Sequence, residues 1–309
     1  MGLDDRQLPD ERDTLPASPH AHIRTRDALR PAAWWDEQIL RTQAEADLLD
    51  RALAAGPQTE DDVHHLARLS SLHMDLLRMK YSRGDLVSQL RGDFDQALDG
   101  WERAEAARDL AWSPQACMTV RSWAVNIDHY IDSFWFVGLA LAFRIDEASW
   151  ARLVRLVGNE GEDGLLDAVI ASRQPRRAIG RSFCYPQPYG RLWEASQMPR
   201  GFRAPQLARF LADWYNALAT AVSCARQAQE TFLRKPSWMG RHAPGIGVYC
   251  GYWSIEAVAA AVGLRMDDRS CLGHPHYPGD LIRPVLVTEP DLSRMPFVLA
   301  GHIVPRNRR

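Results

Sequence analysis

Histidine is the residue type in this sequence with the clearest potential for metal chemistry, and the chain contains ten. A hydrolytic zinc site needs ligands that converge from helices, usually an HExxH or HxxxH pair with a further acid. His64 and His65 are adjacent and point to different faces of a helix, while His73 shares a face with His64 only approximately. A helical metal-dependent hydrolase that uses these histidines with Asp61 or Asp62 is therefore an alternative function, but we predict no metal site.

Other catalytic signatures do not occur in the sequence. There is no GxSxG nucleophile turn, and the glycines within 245–247 lack the third glycine and the preceding strand of a dinucleotide-binding turn. The five cysteines have neither metal-ligand nor redox spacing and indicate reduced core thiols. The acid pairs at 61–62 and 267–268 suit helix N-termini, where carboxylates accept hydrogen bonds from backbone amides. We predict no catalytic residue and no cofactor.

A basic segment interleaved with aromatic residues begins at position 173, a pattern typical of single-stranded nucleic-acid binding. The overall pI near 6.6 favours a different interpretation, a solvated connection whose aromatic rings pack on the protein. We therefore predict no nucleic-acid partner. The residues concerned are Arg173, Arg176, Arg177, Arg181, Phe183, Tyr185 and Tyr189.

The composition indicates a globular protein with a substantial core. Of the 309 residues, 46% are hydrophobic and eleven are tryptophans, whose rings can each bury on the order of 150–250 Å². The first residues are acidic where a signal peptide needs a basic start, and no stretch reaches about 18 uninterrupted apolar residues. We expect a cytosolic protein that does not enter a membrane.

Apolar residues recur at helical spacing through most of the chain, which predicts an all-α fold. The expected architecture is a multi-helix bundle with room for two helical subdomains packed as one body. The most apolar segment, Gln115 to Phe143, should form a central buried helix. Asp85 is placed to cap a third helix, which precedes this segment and ends near Leu110. Ser113-Pro114 is placed to start the central segment. The other expected helices are Ala32 to Ala55, one opening at Thr59, two short helices within 146–172, Pro205 to Leu233 and Ile246 to Val262.

Breaks in the apolar pattern divide the chain. Residues 1–30 lack periodic apolar positions and predict a mobile N-terminal arm. A helical N-terminal domain over 31–172 is followed by a linker rich in Pro, Gly and Arg over 173–203. A helical C-terminal domain over 204–289 and an irregular tail over 290–309 complete the predicted organisation.

Three segments carry a family resemblance: residues 76–85 (LLRMKYSRGD), 251–264 (GYWSIEAVAAAVGL) and 274–282 (HPHYPGDLI). Together they resemble the immunity proteins of PoNe-type DNase toxins, a family with N-terminal and C-terminal PoNi domains. The sequence departs from the family pattern at His276, where an aromatic residue is common, and in its Pro-rich tail after Thr288. The motif residues suit a buried helix face and a rigid turn, so they identify the family without locating a binding surface.

This resemblance implies a protein that neutralises a nuclease toxin, delivered between bacteria by systems such as type VI secretion, through stoichiometric binding. A nuclease active site is basic because it attracts phosphates, so an acidic face on the inhibitor raises encounter rate and affinity. The first 110 residues carry 22 acidic and 14 basic side chains, a net charge of −8, and the remainder carries 17 and 23, a net charge of +6.

We therefore predict a cognate nuclease toxin as the partner, contacted by exposed carboxylates on the first three helices. The candidate contacts are Asp61, Asp62, Asp93, Asp95 and Asp99. A generic helical scaffold is a further alternative, and the sequence leaves the oligomeric state open.

Overall fold

A computed structural model of the protein describes residues 25–55, 60–221, 235–243 and 248–283. Over these residues the structure is 67% helical and contains no strand, which confirms the predicted all-α fold. None of the described helices is long and apolar enough to cross a bilayer. The ten α-helices are α1 Ala32–Ala55, α2 Glu60–Arg83, α3 Arg91–Ala111, α4 Pro114–Arg121, α5 Ile127–Ala142, α6 Glu147–Val157, α7 Gly164–Ala171, α8 Pro186–Gln197, α9 Ala204–Ala219 and α10 Ile255–Gly263.

Several helix boundaries are set by residues at the boundary itself, so they can be predicted from the sequence. α2 ends where Gly84 adopts a φ of 114°, a conformation that favours glycine. α4 begins as predicted, with the Ser113 hydroxyl accepting a hydrogen bond from the Ala116 amide at 3.3 Å. α6 begins in the same way, because the Asp146 carboxylate accepts from the Ser149 amide at 2.9 Å. Short-range hydrogen bonds therefore position these helices.

The prediction of one continuous helix from Gln115 to Phe143 is wrong, since this segment forms α4 and α5. Asn126 makes the break, because its side-chain oxygen accepts from the His129 amide at 3.2 Å and caps α5. Its side-chain nitrogen donates to the Val120 carbonyl oxygen at 2.9 Å and so closes the end of α4. One asparagine side chain thus satisfies backbone groups of both helices.

Three other predicted boundaries are wrong. The Asp85 carboxylate does not cap α3 but pairs with Arg83, the Nη2–Oδ2 distance being 2.6 Å. α9 ends at Ala219, and residues 222–233 of the helix predicted to reach Leu233 lie outside the described residues. α10 starts at Ile255 rather than at 246, because residues 248–254 are non-helical and the backbone at Gly251 has a φ of 88°.

The helices pack into a body whose core is shared by both halves of the chain. α2 lies between α1 and α3, α5 packs against α10, and α8 packs against α9. Gly138 lets α5 and α10 approach closely, since a Cβ there would lie 3.0 Å from the Ile255 carbonyl oxygen. One buried hydrophobic cluster extends from Trp35 to Leu281. The predicted linker, 173–203, contains α8, and the division of the chain at that segment stays a prediction.

The end of the predicted mobile arm is held against the helical body. The amide of Asp27 donates to the Ser82 carbonyl oxygen at 3.1 Å, and the Asp27 carboxylate accepts from the Tyr249 hydroxyl at 2.5 Å. Arg26 donates from Nε to Asp280 Oδ2 at 2.6 Å. Residues 26 and 27 are therefore fixed, whereas residues 1–24 of the predicted arm and the predicted tail at 290–309 lie outside the described residues.

Candidate functional site

Among the predicted contact residues whose side chains the structure describes, Asp93 alone is buried. The residue is 6% exposed, and its Oδ1 lies 2.6 Å from the Lys80 ammonium. Because Lys80 is in α2 and Asp93 is in the first turn of α3, this ion pair joins the two helices. The prediction that Asp93 is exposed is wrong, and this acid stabilises helix packing instead.

Asp61 and Asp62 follow the start of α2 at Glu60, where the positive end of the helix dipole favours carboxylates. The Asp62 side chain is 18% exposed, and its Oδ1 lies 3.8 Å from Nδ1 of His65. The side chain of Asp61 lies outside the described residues. These two acids are on α2, whereas Asp93, Asp95 and Asp99 are on α3, so the five predicted residues do not form one row along a single helix.

Asp95 and Asp99 are exposed on α3, and two further acids continue their row. The four side chains are spaced by four, three and seven residues, which places them on one face of the helix. Their exposed fractions are 47%, 59%, 40% and 59% in chain order. We call this set the α3 acidic ridge: Asp95, Asp99, Glu102 and Asp109.

Arginines from the basic part of the chain lie along the ridge. Arg152 of α6 approaches Asp99 at 2.5 Å and Glu102 at 2.7 Å through Nη2. Arg121 of α4 approaches Asp109 at 2.6 Å. Arginines from residues 111–309 therefore compensate part of the negative charge of the first 110 residues within the fold.

Sequence reasoning missed Glu102 and Asp109 as members of the ridge. Their positions relative to Asp95 and Asp99 are a signal that the sequence does contain, because helical spacing alone puts all four on one face. The arginines opposite them carry no such signal, since α4 and α6 meet α3 only through the tertiary fold.

The three histidines of the alternative hydrolase lie in different surroundings. The His64 ring contacts the Trp112 ring, with centroids 5.6 Å apart, and His65 is exposed beside Asp62. His73 is half-buried, and burial lowers the pKa of its imidazole. Among the residues that the structure describes, no group of three or more histidine, cysteine or acidic side chains could hold a metal ion.

Several side chains of the basic segment that begins at Arg173 pack against the rest of the protein. Arg177 is 4% exposed, and its Nε lies 2.7 Å from Asp167 Oδ1 in a buried ion pair. Arg173 pairs with Glu147 at 2.6 Å. Two tyrosines of the segment are buried, and Phe183 stacks on Trp193 with ring centroids 5.1 Å apart. These arginines and aromatic rings therefore hold the fold together.

The three motif segments, 76–85, 251–264 and 274–282, contact one another in a region that we call the motif junction. Ser82 at the end of α2 accepts a hydrogen bond from the indole Nε1 of Trp253 at 2.8 Å. Both side chains are buried. The junction thereby joins the N-terminal helices to α10.

The third motif segment is tied into the same junction. Asp280 accepts hydrogen bonds from the Tyr81 hydroxyl and, at 2.6 Å, from Arg26 Nε. The amide of Ser254 donates to the His276 carbonyl oxygen at 2.8 Å. These contacts agree with the interpretation of the motif residues as structural.

Glu256, in the second motif segment, is fully buried among neutral donors. Its Oε1 accepts from the Tyr189 hydroxyl at 3.1 Å and from the Trp214 indole at 3.4 Å. Burial raises the pKa of this carboxyl, and the hydrogen bonds lower it by less. The folded state therefore holds the proton of this carboxyl more tightly than the unfolded state does.

We expect the Glu256→Gln variant to gain stability relative to the wild type as the pH rises above about 4.3, the ordinary pKa of glutamate. A carboxyl whose pKa is raised on folding stabilises the fold below its unfolded pKa, and this contribution is lost as the pH rises through the folded pKa. Glutamine keeps the shape but does not titrate.

Denaturant unfolding of both proteins from about pH 4 to about pH 8 measures this difference. Glu194→Gln, at an exposed position of α8, is the matched control and should differ little from the wild type at any pH. A free-energy difference between Glu256→Gln and the wild type that does not change with pH would contradict the prediction.

Comparison with known families and structures finds relatives of both halves of the chain. Residues 32–155 match the family described as PoNe immunity protein (PoNi), N-terminal, and residues 161–281 match PoNe immunity proteins (PoNi), C-terminal. A search of curated proteins found no match. The crystal structure of protein PA2201 from Pseudomonas aeruginosa is similar in fold, with a TM-score of 0.63 at 19% identity, and the match covers 84% of this chain and 90% of that chain.

Proposed function

The chain belongs to the PoNe immunity protein family, and from that premise we propose that it binds a nuclease toxin in the cytosol and holds it in an inactive, stoichiometric complex. The two family matches, over 32–155 and 161–281, are the observation that carries this proposal. Inhibition of this kind needs no chemical step by the immunity protein, because occupation of the toxin surface that binds DNA is enough to stop cleavage.

The α3 acidic ridge is the proposed docking surface. A nuclease attracts phosphates with basic side chains, and carboxylates on a partner attract the same side chains. The arginines along the ridge offset part of its charge, but the carboxylates can still accept hydrogen bonds from a basic side chain, because an ionised carboxylate has about four acceptor positions on its two oxygens. Asp99 and Asp109 each remain 59% exposed while paired with arginine.

The other predicted acids take lesser parts in this proposal. Asp61 and Asp62 extend the docking surface to the start of α2, with Asp62 contributing less because only 18% of its side chain is exposed. Asp93 acts indirectly, since its ion pair with Lys80 fixes α3 against α2.

Charge reversal of the ridge tests the proposed surface. We expect Asp95→Lys combined with Asp99→Lys to slow association with the toxin by about 10-fold to 100-fold at low salt, because steering by opposite charge raises association rates. The effect should shrink at high salt, where exposed charges are screened. The toxin for this measurement is a PoNe-type nuclease domain that the wild-type protein inhibits, and stopped-flow binding gives the rate.

A matched control makes the same change of net charge elsewhere. Glu194→Lys combined with Asp213→Lys alters two exposed acids, on α8 and α9, and should leave association and cell protection unchanged. If the ridge variant behaves like this control, the docking surface lies elsewhere. If the wild-type protein neither binds PoNe-type nuclease domains nor prevents DNA cleavage by them, the proposed function is wrong.

A further inference from the structure

We propose that Arg152 competes with basic partners for the α3 acidic ridge, so that a toxin docks there only by displacing this side chain. The competition rests on the proposed function, since it concerns the surface at which the toxin docks. Arg152 lies on α6, whereas its two partners, Asp99 and Glu102, lie about one turn apart on α3. A cation of the chain itself therefore holds the carboxylates that a basic partner needs.

The Arg152 guanidinium binds the two acids through three hydrogen bonds. Nη2 donates to Asp99 Oδ1 at 2.5 Å and to Glu102 Oε2 at 2.7 Å, and Nε donates to the same Glu102 oxygen at 3.0 Å. The neighbouring Arg155 approaches Glu102 only at 3.6 Å. Because hydrogen bonds between ionised groups are stronger than neutral ones, Arg152 occupies the position that an arginine of a partner would take.

Arg152 also offsets the charge of the ridge more than its other arginine neighbours do. Among the ion pairs that the structure describes, it alone contacts two ridge acids. Arg91 pairs with Asp95, and Arg121 pairs with Asp109, so each of these arginines contacts one member of the ridge. Removal of the Arg152 side chain therefore exposes two carboxylates at the centre of the ridge.

A partner can displace Arg152 without disturbing the fold. Ion pairs at the surface are weak, because water screens the charges and long side chains lose freedom when they pair. The Arg152 side chain is 32% exposed. Trp150, Leu153 and Val157 are buried and hold α6 on the body. The arginine can therefore leave the ridge while its helix stays in place.

Competition of this kind acts mainly on weak partners. Arg152 reduces the affinity of each basic partner that must displace it, but a partner that binds tightly still saturates the ridge. A basic protein whose dissociation constant is close to its concentration loses most of its occupancy when its affinity falls about tenfold. Arg152 thus keeps the ridge clear of weakly bound basic proteins and leaves it open to a nuclease with several basic side chains close together.

Arg152→Gln tests the competition with the toxin. We expect this variant to associate about 3-fold to 10-fold faster than the wild type with a PoNe-type nuclease domain at low salt, because it removes a positive charge from the docking surface. The gain should shrink at high salt. Arg152→Lys keeps the charge and should associate at nearly the wild-type rate. Stopped-flow binding at two salt concentrations measures these rates.

The matched control removes an arginine from a different exposed ion pair. Arg269 pairs with Asp267 at 2.5 Å in the C-terminal half, and both side chains are exposed. Arg269→Gln makes the same change of net charge as Arg152→Gln but should leave the association rate unchanged. Circular dichroism should show that both variants fold like the wild type, since neither change alters a buried side chain.

A labelled octa-arginine peptide tests the ridge without a toxin. It carries a dense row of guanidinium groups, so it competes directly with Arg152 for the carboxylates. We expect Arg152→Gln to bind this peptide about 3-fold to 10-fold more tightly than the wild type at low salt, and Arg269→Gln to bind it like the wild type. Fluorescence anisotropy of the labelled peptide measures the affinities.

The outcomes separate this proposal from the proposed function. An Arg152→Gln variant that binds both the nuclease domain and octa-arginine no better than the wild type would overturn the competition, as would an equal gain in Arg269→Gln. If the wild-type protein inhibits no PoNe-type nuclease domain but Arg152→Gln still binds octa-arginine more tightly, the proposed function is wrong and the competition of Arg152 with basic partners is upheld.

Discussion

The Gly251→Ala variant is expected to lose about 2–5 kcal/mol of folding free energy, since backbone strain and overpacking add. Gly251 has a φ of 88°, and an alanine in this region costs about 1–2 kcal/mol. A Cβ would also lie 2.3 Å from both Ser82 Oγ and Trp253 Nε1, two buried atoms that are hydrogen-bonded to each other. The new methyl group must therefore push the motif junction apart. Guanidinium unfolding followed by circular dichroism measures the loss.

Gly273→Ala separates strain from overpacking. Gly273 has a φ of 83°, but a Cβ built there meets no atom within 4 Å. This variant should lose only the backbone contribution, about 1–2 kcal/mol. Equal losses of folding free energy in the two glycine variants would mean that the motif junction accommodates the extra methyl group at no energetic cost. That result would contradict the packing described above.

Arg177→Met is expected to destabilise the protein by about 3–5 kcal/mol, the usual effect of removing one partner of a buried ion pair. The side chains of Arg177 and Asp167 are 1% and 0% exposed. Methionine keeps an unbranched apolar stem but leaves the Asp167 carboxylate without its counter-charge. Burial already raises the pKa of Asp167, which Arg177 opposes, so the loss should become smaller in acid, where the carboxyl is neutral.

Arg176→Met provides the matched comparison, since Arg176 is the exposed neighbour in the same segment. A surface substitution of this kind should change stability by no more than about 0.5 kcal/mol. Urea unfolding of both variants at neutral and acid pH decides the matter. Similar small losses at positions 176 and 177 would show that the buried pair contributes little.

Part of the candidate surface could be predicted from the sequence, and Asp93 is an informative exception. Asp95 and Asp99 are exposed on one face of α3, as helical spacing indicates. Asp93 lies on the same helix and was predicted to be exposed, yet it is buried against Lys80. Periodicity distinguishes the faces of a helix but does not say which polar side chain will meet a partner on the next helix.

The helix boundaries also fall into two groups, those that could be predicted from the sequence and those that could not. The Ser113 side chain caps the start of α4, and the backbone freedom of Gly84 ends α2. Both boundaries can be predicted from the residue types in the sequence. The break at Asn126 was missed because the apolar pattern continues through it, and the late start of α10 was missed because its cause includes a glycine packed against Ser82 of α2.

By itself, the sequence determined the all-α class, the starts of α1 and α4, and the family, because these depend on residue spacing and on chemistry within a few positions. Only the tertiary structure decided that Arg152 lies along the α3 acidic ridge and that Ser82 meets Trp253. Both contacts join residues far apart in the chain. Their distances are set by how whole helices pack, which is a property of the complete core rather than of any local pattern.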